Sequence, residues 1–383
     1  MKRYFISLLV LMAFGQVTFA QQAIFDKQNT QSPQVNSDNS VTFRLYAPKA
    51  QKVQVHGDFM EGIQDMTNEN GLWSFTTPAN LSPELYMYWF RVDGIDMQDP
   101  GNLMRSRDVR THMSNFIITK EEGDKGYLYQ NHNVAHGNVS EVWYESPKLG
   151  MSRRMTIYTP AGYEKGGKYP VMYLLHGAGG DEEAWPTLGR TAQIMDNLIA
   201  SGKAAPMIVV MPNGNASDDA SPYATGLTHK QKPATTYEES FTDIMNYVQK
   251  NYRIKKGAKN TAICGLSMGG YHTFSISNLH PGKFDYIGLY SAAIRMGWRQ
   301  ENQPLEEYLE EKQGKAIEAV FAANPQLYWV AIGNTDFLYE QNKSLRNYFD
   351  KKGYKYEYFE SDGGHIWRNW RIYLTMFAQR LFK

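Results

Sequence analysis

Gly265-Leu266-Ser267-Met268-Gly269 stands between an apolar triplet, Ala262-Ile263-Cys264, and a stretch from Gly270 to about Leu279 that reads as a helix. No other feature constrains the fold of this chain as strongly. A buried strand that turns directly into a helix bends sharply, and the residue at the bend is strained. Glycine two positions before and two positions after the serine removes the clashes that side chains would cause there. The serine oxygen then projects beyond the strand end, while the first N–H groups of the helix point at any negative charge developing beside it.

The surrounding sequence supplies the sheet that such a turn needs. From Met151 onward, strand patterns alternate with helical ones. The strands are expected at Arg154–Thr159, Pro170–Leu175, Met207–Met211, Thr261–Cys264, Tyr286–Ser291, Leu327–Ile332 and Tyr354–Phe359. Helices are expected at Phe241–Tyr252, Leu345–Lys351 and Trp367–Leu381. This is the signature of an α/β domain over 151–383, a mostly parallel sheet with helices on both faces. Residues 40–120 have a different texture. Val41–Tyr46, Lys52–His56, Leu72–Phe75 and Leu85–Val92 are short alternating runs separated by Gly, Asn, Asp and Pro, which predicts a small all-β sandwich with Trp73 and Trp89 in its core.

Between these domains, 121–150 reads as a linker containing Gly123, Gly126, Gly137 and Pro147. His132 and His136 lie four apart, a spacing that two zinc ligands use on a helix. Their Asn- and Gly-rich surroundings are poor helix material and no Glu lies between them, so a joining loop is expected instead. Residues 21–39, rich in Gln, Asn, Ser and Asp, read as a flexible lead. Residues 1–20 have the form of a secretory signal peptide: Lys2 and Arg3, an apolar run from Tyr4 to about Phe14, then Thr18-Phe19-Ala20 before Gln21. Secretion to a periplasm or out of the cell is the expectation, with no membrane span in the mature chain. The single cysteine, Cys264, has no partner for an internal disulfide and reads as a small buried hydrophobe.

Forty basic residues nearly balance 39 acidic ones, so net charge gives no basis for a nucleic-acid or anionic-lipid surface. Aromatic residues reach 14% of the chain, with 26 Tyr and 8 Trp, and such rings commonly stack on sugars.

A serine hydroxyl is a weak nucleophile and needs a base, which in turn needs an orienting acid. On a turn of this type the three follow in the order serine, acid, histidine. His365 is the only histidine after His280 and follows Asp362-Gly363-Gly364 at a strand end, which makes it the candidate base. His272 and His280, on or just after the helix that follows Ser267, are expected to point away from it. Asp336 follows the strand Leu327–Ile332 and is the candidate acid, with Asp362 and then Glu340 as alternatives. A second oxyanion donor is expected in Tyr173-Leu174-Leu175-His176-Gly177-Ala178-Gly179-Gly180, where small residues let backbone approach a substrate closely. The N–H groups of Ala178 and Met268 are assigned to that role, with Gly177 as the alternative to Ala178, and His176 is read as holding the loop. This chemistry requires neither metal nor organic cofactor.

Two resemblances follow from these motifs. Phe43-Arg44-Leu45-Tyr46-Ala47-Pro48, Gly71-Leu72-Trp73 and Tyr88-Trp89-Phe90-Arg91-Val92-Asp93-Gly94 resemble the early-set immunoglobulin-like domains found ahead of many glycan-acting enzymes. Tyr158-Thr159-Pro160-Ala161-Gly162-Tyr163, Leu174-Leu175-His176-Gly177, Met211-Pro212-Asn213-Gly214, Gly265–Gly270 and Gly364-His365 resemble the esterase D and feruloyl-esterase branch of the α/β-hydrolases. Together they cover nearly the whole mature chain and imply a secreted serine esterase acting on an esterified plant polysaccharide or oligosaccharide. Feruloyl esters of arabinoxylan are the expected substrate and acetylated xylan the alternative. A glycan-binding protein with an inactive hydrolase domain, or an acyltransferase using the same residues, are the other classes. Trp185, Trp298, Phe337 and Tyr339, aromatic residues near the catalytic loops, are the candidate substrate contacts. Asn334-Thr335 ahead of Asp336 departs from the expected smaller or more charged approach.

Overall fold

The computed structural model describes residues 31–221, 233, 235–296 and 303–383. The expected signal peptide over 1–20, residues 21–30 of the expected lead, and Trp298 lie outside the described residues. The chain divides into two compact units. The first comprises the described residues up to Ser82 together with Tyr86–Arg105 and Ser114–Phe116; the second comprises Pro83–Leu85, Ser106–Met113 and everything from Ile117 onward.

The N-terminal region is an all-β sandwich of antiparallel sheets. One sheet has the order Gln34–Val35, Val41–Tyr46, Leu72–Thr76, Thr67–Glu69; in the other, Val53–Gly57 lies between Ile63–Asp65 and Glu84–Val92. Period-two alternation makes this arrangement. Val53, Val55, Tyr88 and Phe90 are wholly buried, whereas Gln54, His56, Trp89 and Arg91 between them are half-exposed. Phe43 packs against Tyr88 and Phe116 with ring centroids 4.6 and 5.6 Å apart. Two expectations are corrected here. Gln34–Val35 is not part of a flexible lead but an edge strand paired with Val41 and Thr42. Trp73 is buried, its indole donating to Ala47 O at 3.0 Å, but Trp89 lies on the outward face against the tilted ring of His56, one position out of phase with the core residues.

The second unit carries an eight-stranded sheet. Its order is Asn138–Ser146, Met151–Thr159, Ile208–Pro212, Val171–Leu175, Thr261–Leu266, Tyr286–Tyr290, Leu327–Gly333, Glu357–Ser361. The first three strands pair antiparallel, and from Ile208–Pro212 onward all neighbours are parallel. The central strands are buried along nearly their whole length because both faces are covered. On one face Tyr173, Ile263, Leu289 and Val330 pack with Phe241, Ile244, Phe274 and Leu345 of the helices Tyr237–Asn251, Met268–Leu279 and Tyr339–Lys352. On the other, Tyr290 and Trp329 meet Tyr373 and Phe377 of the helix Trp367–Ala378.

The second half of the expected linker is corrected to a strand. Asn138–Ser146 pairs along its whole length with Met151–Thr159, from Asn138 opposite Thr159 to Ser146 opposite Met151. As an edge strand it keeps most side chains in water and buries only Tyr144 and Ser146, so its apolar signal is weak. His132 and His136 serve separate structural partners, the carbonyl of Tyr127 at 2.8 Å and the carboxylate of Asp196 at 2.9 Å.

Candidate active site

Thr261–Leu266 runs in parallel register between Val171–Leu175 and Tyr286–Tyr290, and the helix Met268–Leu279 begins one residue after it ends. Ser267 alone makes the turn, with φ 53° and ψ −113°. That conformation costs on the order of 1–3 kcal/mol for a residue with a side chain and persists only where neighbours enforce it. Here Ser267 N donates to Tyr290 O at 2.9 Å, and Ser267 O accepts from Ala293 N at 3.0 Å. The flanking glycines are fixed by close approach. A Cβ on Gly265 would lie 2.5 Å from Gly269 O, and one on Gly269 would lie 2.4 Å from Leu175 O and 2.6 Å from His176 O. Backbone cannot yield as a flexible side chain can. Gly269→Ala is therefore expected to destabilise the protein by about 1–3 kcal/mol, checked by chemical denaturation.

No side chain caps the first turn of the Met268 helix, so its leading N–H groups face the space beside the serine. The loop after Val171–Leu175 lies against that space. A Cβ on Gly177 would sit 3.4 Å from the Cβ of Ser267. His176 holds this loop, as expected: its Nδ1 donates to Gly177 O at 2.8 Å while its Nε2 accepts from Gly214 N at 2.7 Å. Accepting at Nε2 requires a neutral ring, and burial indeed pushes its pKa down to about 4.

Asp336 and His365 leave the ends of two adjacent parallel strands, Leu327–Gly333 and Glu357–Ser361, which bring their loops together. His365 Nδ1 lies 3.0 and 2.9 Å from the two carboxylate oxygens of Asp336. The Asp336 carboxylate is wholly buried, whereas the imidazole is partly open to solvent. Asp336 Oδ1 also accepts from Leu338 N at 2.8 Å, which fixes the carboxylate's rotation. Asn334, the departure noted in the sequence, has a local purpose: its Oδ1 accepts from Gly363 N at 3.1 Å and ties the two loops. The alternatives fall away. Asp362 is exposed and contacts Asn334 at 3.4 Å, Glu340 lies on an exposed helix turn, and His272 is paired with Glu238 at 2.6 Å.

The imidazole is walled by two rings, Phe337 at 4.5 Å and Trp370 edge-on at 4.9 Å. Trp370 in turn donates to Ser291 Oγ at 3.2 Å, at the end of the strand beside that of Ser267. Phe337 is 75% exposed, so one face of an aromatic ring is offered to solvent next to His365. One expected substrate contact is corrected. Trp185 is 1% exposed, packs edge-on against Trp367, and donates its indole N–H to Leu175 O at 2.9 Å; it is core. Tyr339 donates its hydroxyl to Glu360 at 2.8 Å, tying its helix to the edge strand. Trp370 was not singled out in the sequence, where it lies within the expected helix Trp367–Leu381. Also unforeseen is a buried brace just after the loop Gly177–Gly180: Glu182 takes Arg154 Nε at 2.7 Å, Asn213 Nδ2 at 3.0 Å and Ser221 N at 2.8 Å.

Comparison with known proteins places the chain among esterases. The family described as "Putative esterase" matches residues 146–381, and carbohydrate-binding module 48 (isoamylase N-terminal domain) matches residues 30–107. An endo-1,4-beta-xylanase/feruloyl esterase of Xylanibacter ruminicola is 32% identical over 359 residues, which are 92% of this chain and 46% of that protein. The chain thus spans about half the length of that relative. Among solved structures, a ferulic acid esterase superposes with TM-score 0.55 at 27% identity, covering 65% of this chain and 98% of the other. An enterobactin esterase from Shigella flexneri shares the fold, with TM-score 0.64 at 17% identity over 94% of this chain and 99% of the other.

Proposed function

The chain belongs to this esterase family of α/β-hydrolases, and from that premise we propose that it hydrolyses carboxylic esters by acyl transfer through Ser267. The observation that carries the reading is the Asp336–His365 pair, set at the same end of the parallel sheet as the strained Ser267 turn. His365 Nδ1 donates to Asp336, which leaves Nε2 as the acceptor of the serine proton. Ser267 Oγ then attacks the ester carbonyl, and the carbonyl oxygen becomes an oxyanion facing the N–H groups of Met268 and Ala178, with Gly177 as the alternative second donor. The proton on His365 passes to the departing alkoxide. Water, deprotonated by the same imidazole, releases the acid and restores the serine.

The substrate we infer is a feruloyl ester on arabinoxylan, with acetylated xylan as the alternative. The exposed face of Phe337 beside His365 supports an aromatic acyl group, and the names of the Xylanibacter relative and the ferulic acid esterase point the same way. A secreted location, in the periplasm or outside the cell, fits a polymeric substrate and the N-terminal segment Lys2–Ala20.

Release of ferulic acid from methyl ferulate and from feruloylated arabinoxylan, run beside acetate release from acetylated xylan, tests the assignment. Ferulate release supports it; acetate release alone moves the acyl group to acetyl; no release from any of the three overturns the esterase reading. Within that assay Phe337→Ala is expected to lower kcat/KM for methyl ferulate by about threefold to tenfold, the worth of one aromatic stacking contact. Acetate release should be unchanged. Equal losses on both esters would remove Phe337 from the acyl site.

A further inference from the structure

Residues 106–113 belong to the second unit, far in sequence from the catalytic residues of that unit. Three consecutive residues at the tip of this segment, where the strand Arg105–Asp108 turns into the strand Thr111–Ile118, make contacts on both sides of the site. Arg107 donates Nη2 to Asp181 Oδ2 at 2.5 Å and to Ser221 Oγ at 2.9 Å. Asp181 is buried and lies immediately after the loop Gly177–Gly180. Asp108 accepts from the side chain of Trp367, two residues after His365. Val109 sits where Gly179 lacks a side chain: a Cβ on Gly179 would lie 2.8 and 2.9 Å from its two methyl carbons.

Val109 itself has φ 55°, a region that β-branched residues almost never occupy. Such strain is held only where surrounding contacts over-determine it, and it gathers at functional sites. Here Arg107 Nη1 donates to Val109 O at 3.1 Å, so the guanidinium that grips Asp181 also fixes the strained residue. The tip is thus bound to the oxyanion loop through Val109 and Arg107, and to the segment carrying His365 through Asp108.

We propose that Arg107, Asp108 and Val109 are positioning residues that set the oxyanion loop Gly177–Gly180 relative to Ser267 and His365. The proposal rests on the acyl-transfer reading above. None of the three needs to touch the reacting atoms. Their effect is to hold a backbone N–H in line with a charge that exists only in the transition state, so their loss acts on kcat rather than on ground-state binding.

The test measures kcat and KM on 4-nitrophenyl acetate and methyl ferulate for the wild type, Arg107→Ala, Arg107→Lys, Val109→Gly and the exposed neighbour variant Arg110→Ala, with thermal melting on the same samples. Arg107→Ala is expected to lower kcat on both esters by about tenfold to a hundredfold, the cost of misplacing a catalytic group by about an ångström, with KM nearly unchanged. Arg107→Lys should recover part of the loss, because an ammonium still reaches Asp181. Val109→Gly should show a smaller loss of the same kind, and Arg110→Ala none. Wild-type kcat in Arg107→Ala, even with a lowered melting temperature, assigns the contacts to stability and overturns the proposal. A raised KM at constant kcat makes the tip a substrate contact and overturns it as well. A wild type inactive on both esters overturns the parent reading, and this one with it; an active wild type with unaffected variants overturns this one alone.

Discussion

Ser267→Ala is expected to lower kcat by about 10⁴- to 10⁶-fold while leaving the protein folded, since removing the nucleophile of a serine hydrolase costs about as much as removing its whole catalytic apparatus. The expectation of an intact fold comes from the turn. What holds residue 267 at φ 53° is backbone: its N–H donates to Tyr290 O and its carbonyl accepts from Ala293 N. Neither bond involves the hydroxyl, and alanine has the same Cβ as serine at that φ. The helix Met268–Leu279 also loses no cap, because the Ser267 side chain does not bond to its first turn. Thermal melting should therefore match the wild type, while ester turnover falls to the level that the oxyanion donors and binding alone sustain. Wild-type melting with more than about one per cent of the wild-type turnover would show that another nucleophile does the chemistry.

The parts of this design that were legible in the sequence are those enforced by close backbone approach or by strand order. The Gly265–Gly269 motif was legible because Gly265 and Gly269 each have a carbonyl where a Cβ would go, so only one residue type fits. Asp336 and His365 were legible because parallel neighbouring strands carry the loops after Leu327–Gly333 and Glu357–Ser361 to one place, whatever the loop composition. The strand Asn138–Ser146 was missed because an edge strand buries little, and a polar run between glycine and proline resembles a loop. Trp185 was misassigned for the opposite reason: a tryptophan after a catalytic loop has the same sequence signature whether its ring lines the site or, as here, fills the core against Trp367 and Tyr290. The contacts of Arg107, Asp108 and Val109 had no local signal at all. They join residues 74 positions apart for Arg107 and Asp181, and the one unusual feature, a valine at positive φ, exists only in the folded backbone.

Asp336→Asn should be nearly as damaging as loss of the serine, at about 10⁴-fold in kcat, although it changes a single atom's chemistry. Both Asp336 oxygens lie within 3.0 Å of His365 Nδ1, and Oδ1 also accepts from Leu338 N. An asparagine in that place has one oxygen and one NH₂ to share between two donors. If the oxygen stays on Leu338 N, the NH₂ faces Nδ1 and selects the tautomer protonated at Nε2, which has no lone pair for the serine proton. If the amide flips, Leu338 N is left facing an NH₂ in a buried site, and the loop carrying Phe337 is strained. In the proposed mechanism the carboxylate also stabilises the imidazolium formed as Ser267 attacks, and a neutral amide does not. Substrate binding depends on none of this, so KM should hold while kcat falls. Asp362→Asn and Glu340→Gln are the matched controls: both groups are exposed and off His365, and each change should stay within about twofold of wild type. A large loss in Asp362→Asn with a small one in Asp336→Asn would reverse the assignment, because it would mean that the exposed carboxylate, not the buried one, orients His365 during turnover.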